Sequence, residues 1–432
     1  MKKTIILYHP KTSHERNYSF FWIPYSVLSL AGGLRRKGYE VIIIDANLEN
    51  CPTDINYREV LFVGISVMIG QQITDGLNYA KQIKNICNVT IVWGGPFPTL
   101  LPELVLKEYL IDYIIRGPGE KAIVDLADAL FNKAKIDDSI GRRYESAIRV
   151  GNIQSLAHER DIDEYDYKLI DLKKYIRNDP NISDKVINYI SSRGCCYDCG
   201  FCTESAIYHK HWIAFSPERI VFEVNQLLEM SGANAIKFYD ANFFVNPKRV
   251  FDYLEKLYLL RGHVNFAASA HPQNILDLSN KQLSLLRERG LKRLLIGLES
   301  GVQAEIDFIR KDFQIQNTYK LAEDLEKAGI IGSFTFITGY PSMPMSNIDK
   351  TLDFVKELSE RFRCHEYKTH LYMPYPGTRL YALAKQYGFQ EPVNLEEWAQ
   401  FDYYQIQMPW VNTNYQIKID ELNSTLCPYV HL

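Results

Sequence analysis

No stretch of this chain approaches the roughly 20 consecutive apolar residues that a membrane-spanning helix needs. After MKKT comes only a short apolar run before a polar loop, too short for the core of a signal peptide. No charge of either sign is in excess. The formal net charge is −3, which gives no electrostatic case for a nucleic-acid or membrane partner. Cysteine is too sparse for a disulfide scaffold, with 8 in 432 residues, and four of these fall within 195–202. These absences predict a cytoplasmic protein with reduced thiols. What is present fits a soluble α/β chain of two or three domains: 46% apolar and 23% charged residues, with 29 tyrosines and 21 phenylalanines.

The cysteine cluster lies in SSRGCCYDCGFCTES, residues 191–205. Cys195, Cys199 and Cys202 have C-x3-C-x2-C spacing and follow a short apolar run of strand type at 186–190. Three thiolates on one tight loop form a metal or cluster site. They can hold three corners of a cubane 4Fe–4S cluster and leave the fourth iron open to a small molecule. Cys196 is adjacent to Cys195 and is expected to point away. Cys51, Cys87, Cys364 and Cys427 are scattered.

Over residues 1–140 short apolar strands alternate with helical segments. Strands are predicted at 4–8, 41–45, 61–66, 89–93 and 112–116, and helices at 23–37, 73–86 and 120–132. That alternation implies a doubly wound, Rossmann-like parallel sheet, whose ligands bind at the carboxyl ends of its strands. Three strand-end loops are glycine-rich: GISVMIGQQ (64–72), WGGPFPT (93–99) and RGPGE (116–120). Gly94, Gly95 and Gly117 would let the backbone approach a flat ligand, Ser66 and Thr99 offer hydroxyls, and Glu120 closes the last loop. Each alone could be an ordinary turn; together they point to a ligand crevice. Residues 141–185 are polar and irregular and read as a linker, with 161–168 expected to be a solvated crossing segment or, alternatively, to line the site.

A second alternation runs over 186–390. Six strands are predicted, at 186–191, 235–239, 265–269, 293–297, 332–338 and 366–372, separated by helices. This predicts a partial (β/α)6 parallel barrel with function at the carboxyl ends of its strands. Residues 391–432 read as a short extension. Its Trp398, Tyr403, Tyr404 and Trp410 are expected to pack the barrel's open end or to close its mouth.

With VGISVMIGQQI, IVWGGPFPTLLPE and DYIIRGPGE in the first part and the cysteine loop in the second, residues 1 to about 412 resemble the cobalamin-dependent radical S-adenosylmethionine (SAM) enzymes. The resemblance implies a cobalamin-binding domain and cofactors comprising a 4Fe–4S cluster, SAM and cobalamin. The D-x-H-x-x-G motif of free-standing cobalamin domains is missing. His9 and His14 stand in LYHPKTSHERN and are expected to be surface histidines, so cobalamin's lower face would rest on the loop containing Val67, Met68 and Gln72. In the barrel the resemblance places Phe201 beside the adenine. It places Asp240 and Asn242 at the methionine amino group, Ser269 and His271 at the third strand end, Glu299 at the ribose or amino end, and Thr338 at the fifth. Relatives often carry arginine where His271 stands. Asp240 and Asn242 could equally cap a helix, and Glu299 could pair with Lys292 or Arg293.

The activity so implied is C-methylation of an unactivated carbon of a small molecule or peptide, through a 5′-deoxyadenosyl radical and methylcobalamin. The implied electron donor is of flavodoxin or ferredoxin type. Cyclisation, ring contraction or oxidation without methyl transfer is the alternative. A non-catalytic cobalamin carrier would not need the three cysteines. A methylthiotransferase would need three further cluster cysteines in its first domain, where only Cys51 and Cys87 stand.

Overall fold

Runs of Ile, Val and Leu ended by glycine, serine or a polar turn become strands here, because β-branched side chains pack well on a pleated surface. The computed structural model of the chain describes residues 3–12, 22–48, 55–144, 147–156, 158–401 and 408–426. It divides into two units, Met1–Tyr175 with Pro392–Gln405, and Ile176–Glu391 with Ile406–Leu432.

In the first unit β1 (Thr4–His9), β2 (Glu40–Asp45), β3 (Val60–Ser66), β4 (Thr90–Gly94) and β5 (Tyr113–Ile114) form a parallel sheet in the order β2-β1-β3-β4-β5. Two short strands, β6 (Gly141–Arg143) and β7 (Ile148–Arg149), extend it antiparallel beyond β5. Ile5, Leu7, Phe62 and Val92 of the sheet are buried with Val27 and Leu34 of helix Tyr25–Arg36 and Leu126 of helix Glu120–Asn132. The strand order reverses between β1 and β3. Such sheets open their ligand crevice at that switch point, outside the carboxyl ends.

Two expectations need correction. The linker 141–185 does not exist as a free connector. Its start supplies β6 and β7. Ile162, Tyr165 and Tyr167 are 1%, 2% and 1% exposed, so 161–168 is not a solvated crossing. Asp163 and Asp166 pair with Arg36 and Arg35 of helix Tyr25–Arg36, and the Tyr175 hydroxyl donates to Asp45 Oδ2 at 2.9 Å. The apolar and tyrosine side chains interleaved with the charges bind this stretch to the first unit. The tail is not one extension either. Helix Leu395–Ala399 packs on helix Gln71–Ile86 of the first unit. Trp398 is fully buried there, its ring 6.1 Å from that of Phe97. Helix Asn414–Leu426 packs instead on the second sheet, and Trp410 Nε1 donates to the Gly339 carbonyl at 2.9 Å, at a barrel strand end. Tyr403 and Tyr404 lie outside the described residues.

The second unit begins with β8 (Arg177–Asp179) and β9 (Ser183–Tyr189), followed by a small antiparallel hairpin of β10 (Ser192–Gly194) and β11 (Trp212–Ala214). Then come β12 (Ala235–Phe238), β13 (Asn265–Ala270), β14 (Leu291–Glu299), β15 (Ile331–Thr338) and β16 (Glu366–Leu371). The curled sheet runs β16-β15-β14-β13-β12-β9-β8, parallel throughout except for β8 at its edge. Side chains alternate across it. Ile236, Phe238, Leu294, Ile296, Phe334 and Phe336 are buried, while the intervening Lys237, Leu295, Thr335, Ile337 and Lys368 remain partly open. The first set faces the helices; the second lines a hollow on the inner face. Ile182, Val186, Ala235 and Ala267 pack into a small apolar cluster at the floor of that hollow.

Candidate functional site

The cysteine loop leaves β9 and is framed by the β10–β11 hairpin. Gly194 makes the turn into it at φ +75°, and a Cβ there would lie 2.2 Å from the His211 carbonyl oxygen. Inside the loop, the Gly200 N–H donates to Ile309 O at 2.8 Å, and Gly200 O accepts from Leu380 N at 3.0 Å. The backbone is therefore fixed from two sides. Cys199 is buried, Cys195 and Cys202 are half-buried, and Cys196 is exposed. Burial pushes the Cys195 thiol up to about 11 and that of Cys202 up to about 12, and raises Cys199 as well. The nearby charge of Lys311 offsets this only in part for Cys199 and Cys202, so without iron these thiols stay protonated; bound iron reverses that balance. Among the described residues no three His, Cys, Asp or Glu side chains converge on a point that would hold a single ion. A cubane takes one thiolate on each of three separate irons, so its donor set does not require such a point.

Asp240 is buried beneath this loop. It accepts from Ser191 N at 3.2 Å, from Ser191 Oγ at 2.8 Å and from Ser192 Oγ. Arg249 ties in by donating to Ser191 O at 3.1 Å. Asn242 donates to Asn274 Oδ1 at 2.9 Å and accepts from Phe244 N and His271 N. Both residues are thus engaged in ordering the loop and the strand ends. His271 stacks on Tyr197 with ring centroids 3.7 Å apart. Its Nδ1 accepts from Gln273 N at 3.3 Å, so Nε2 carries the proton and donates to the Lys311 carbonyl at 2.6 Å. Burial, then the charge of Lys311, lowers its pKa to about 3. It stands neutral with both nitrogens used, unlike an arginine.

A group that sequence reasoning missed is Lys311. Its ammonium lies 2.7 Å from Glu299 Oε1, and both side chains are buried. Burial alone would lower the lysine's pKa, but Glu299 and then Cys199 hold it above the usual range, which also puts it beside the cysteine loop. Glu299 takes φ +68° at the end of β14, and this bends its side chain back over Gly297. Lys292 and Arg293, the expected partners, are elsewhere; Arg293 pairs with Asp179 at 2.7 Å. Nearby, Thr338 Oγ1 and Tyr340 Oη are buried without a hydrogen-bond partner among the described residues. The Phe201 ring lies 6.4 Å from that of Tyr340. Ser269 is partly exposed on the inner face. Buried unpartnered hydroxyls beside a zwitterionic side-chain pair fit a polar amino-acid ligand such as SAM.

In the first unit Met68 is 54% exposed at the carboxyl end of β3, whereas Val67 and Gln72 are buried. Gln72 Oε1 accepts from Met68 N at 2.8 Å. The glycines act differently from expectation. A Cβ on Gly95 would meet Val67 N and O at 3.0 Å, and one on Gly117 would meet Gln154 O at 2.6 Å, so it is the chain's own backbone that fills those approaches. Gly94 has only Ile115 O within reach, at 3.7 Å. Thr99 Oγ1 donates to Gly95 O at 2.7 Å and accepts from Gly117 N at 2.8 Å, and is therefore a staple between loops. Ser66 Oγ is close to Gly95. His9 is not a surface histidine: its Nδ1 is sealed from solvent with no partner among the described residues, and burial lowers its pKa. Gln71 Oε1 and Glu120 Oε2 are likewise buried and unpartnered there. Acceptors collected at the ends of β3 and β5 fit a group that presents amide donors, as cobalamin does. His14 lies outside the described residues.

Comparison with known proteins matches residues 16–127 to the B12 binding domain and residues 189–355 to the radical SAM superfamily. An uncharacterized methyltransferase of Pyrococcus horikoshii is 28% identical over 83% of this chain and 77% of its own length. The anaerobic magnesium-protoporphyrin IX monomethyl ester cyclase of Rubrivivax gelatinosus is 23% identical over 83% of this chain and 66% of its own. In structure, the radical SAM methyltransferase TsrM of Kitasatospora setae matches with a TM-score of 0.70 at 16% identity, over 89% of this chain and 76% of that one. The cobalamin-dependent radical SAM enzyme OxsB matches with 0.69 at 18% identity, over 98% and 61%.

Proposed function

Since the chain joins a B12 binding domain to a radical SAM domain, and so belongs with the cobalamin-dependent radical SAM enzymes, we propose that it methylates an unactivated carbon of a small molecule or peptide. The observation that carries this is the pairing of the Cys195–Cys199–Cys202 loop with the Glu299–Lys311 pair beside it. Cysteines of this loop would hold the cluster. Glu299 would take the ammonium of SAM and Lys311 its carboxylate, each exchanging its present partner for the opposite charge on the ligand. Thr338 and Tyr340 would donate to the remaining polar atoms, and Phe201 would flank the adenine. In the first unit Met68 would meet the lower face of cobalamin, with Gln71 and Glu120 accepting from its amide edge. Bound in these places, the cluster supplies the electron that cleaves SAM and cobalamin carries the methyl group. The chain's own residues orient the ligands and exclude water. A flavodoxin or ferredoxin would deliver the electron.

Relatives named as methyltransferases support methyl transfer; the cyclase relative keeps a transformation without methyl transfer as the second reading. SAM labelled with deuterium in its methyl group separates them. The expected product gains one methyl group that carries the label. An unlabelled, rearranged or oxidised product would reject methylation and favour the second reading.

A further inference from the structure

Three cations from three separate segments meet the cysteine loop on its outer side. Asp198, the one acidic residue between Cys195 and Cys202, accepts from Lys210 at 2.9 Å and from Arg310 at 3.1 Å through the same oxygen. Lys210 and Arg310 both take left-handed backbone, at φ +63° and +57°, and both side chains are more than half exposed. The third cation is Arg379, exposed at the start of helix Arg379–Gln386. It lies against Gly200, where a Cβ would stand 2.7 Å from its Nη2, 3.0 Å from its Nε and 3.2 Å from its Cζ. Its Nη2 also donates to the Phe308 carbonyl, at the end of helix Gln303–Phe308. The guanidinium therefore bridges that helix and the loop. Gly200 is not among the glycines with left-handed backbone. What the site uses is its missing side chain, which leaves room for the arginine.

A neutral donor would serve the Phe308 carbonyl equally well. What arginine adds is a charge, held next to the residue that follows Cys199 and precedes Phe201 and Cys202. Burial, and then the nearness of Arg310, lowers its pKa, with Asp198 offsetting part of this. A guanidinium stays charged in proteins all the same. We propose that Arg379 is a positioning residue of the cysteine loop and that its charge favours the reduced form of the cluster held there. The proposal rests on the reading that Cys195, Cys199 and Cys202 hold a 4Fe–4S cluster. Reduction by one electron from the donor adds one negative charge to the cluster. A fixed cation nearby therefore stabilises the reduced form more than the oxidised one. Exposure to solvent screens that effect and keeps it moderate. On the inner side of the loop Lys311 is paired with Glu299 at 2.7 Å, so the two charges there balance.

Redox titration of the anaerobically reconstituted chain, followed by the electron paramagnetic resonance of the reduced cluster, tests the proposal. Iron content is read on the same samples. Arg379→Gln is expected to lower the ratio of reduced to oxidised cluster at a fixed potential about threefold or more, a fall in midpoint of about 30 mV for a one-electron couple. Arg379→Lys keeps the charge, and its ratio should stay within about twofold of the unaltered chain. Gly200→Ala pushes the guanidinium off the loop while leaving it charged, so its midpoint should fall in the same direction. In the Arg379→Gln background the alanine should then add nothing. A clamp with no electrostatic part would change iron content and leave the midpoint where it is. The proposal is overturned if Arg379→Gln loads iron with an unmoved midpoint, or if the alanine shifts the midpoint equally in both backgrounds. Where Arg379→Gln retains no iron, Gly200→Ala decides alone, and an unmoved midpoint there overturns the proposal. An unaltered chain that takes up no cluster overturns the cluster reading and this proposal with it, whereas a cluster with unmoved midpoints overturns only the role of Arg379.

Discussion

His271 stands neutral in the fold, wedged between Tyr197 and the Lys311 carbonyl, and this gives the protein an acid limb. The unfolded imidazole takes up a proton near its ordinary value of 6.5, while the folded one resists protonation down to about 3. Between those values the unfolded state binds more protons, so stability is complete above pH 6.5 and is lost as the pH falls. From pH 7 to pH 5 this residue alone should lose roughly 2 kcal/mol of unfolding free energy. Urea midpoints at the two pH values, for the unaltered chain and for His271→Gln, check this: the variant should show a shallower fall. An equal fall in both would place the acid limb elsewhere. At this scale the sequence was only partly readable. The three cysteines announce themselves by spacing. Lys311 sits in an unremarked RKDF and gains its place only because Glu299 adopts a left-handed backbone that turns its carboxylate inward.

Among the elements, the β10–β11 hairpin fixes where the cysteine loop begins. Its corner is Gly194, which is in the left-handed region and packed against His211 O. Gly194→Ala would add a left-handed penalty of about 1–2 kcal/mol and a backbone clash as well. The hairpin should open and the loop lose its anchor. Iron bound after anaerobic reconstitution should fall by half or more, with a lower thermal midpoint; full iron loading would show that the hairpin is not what holds the loop. The strands themselves were legible because five- to nine-residue apolar runs with turn residues on either side allow few other structures. The connector and the tail depart from expectation for different reasons: the charges of 141–185 suggest solvent although its tyrosines are buried, and the aromatics of 391–432 suggest the barrel's open end although Trp398 is buried against Phe97 of the first unit. Periodicity reports a buried face without identifying the partner.

At the scale of the whole molecule, each unit has its own sheet and its own core. Loading of iron and of cobalamin should therefore be separable. Cys199→Ala is expected to lose cluster iron while taking up cobalamin at the unaltered stoichiometry, read from iron content and corrinoid absorbance on the same sample. Joint loss of both would mean that the cluster loop supports the first unit's fold. Among the described residues no helix is long and apolar enough to cross a membrane.

The return of 392–401 to the first unit also constrains how this protein can be recombined. Trp398 seats against Phe97, and the Gly70 N–H, in the loop after β3, donates to the Trp398 carbonyl at 3.3 Å. The corrinoid-type unit is therefore discontinuous in the gene. A chimera that exchanges only the first 175 codons would import a sheet stripped of one wall of its helix Gln71–Ile86 and leave an orphaned tryptophan behind. Any shuffling that preserves this unit has to move two separate segments together, and so a barrel of this kind is inherited with its partner rather than assembled from interchangeable cassettes.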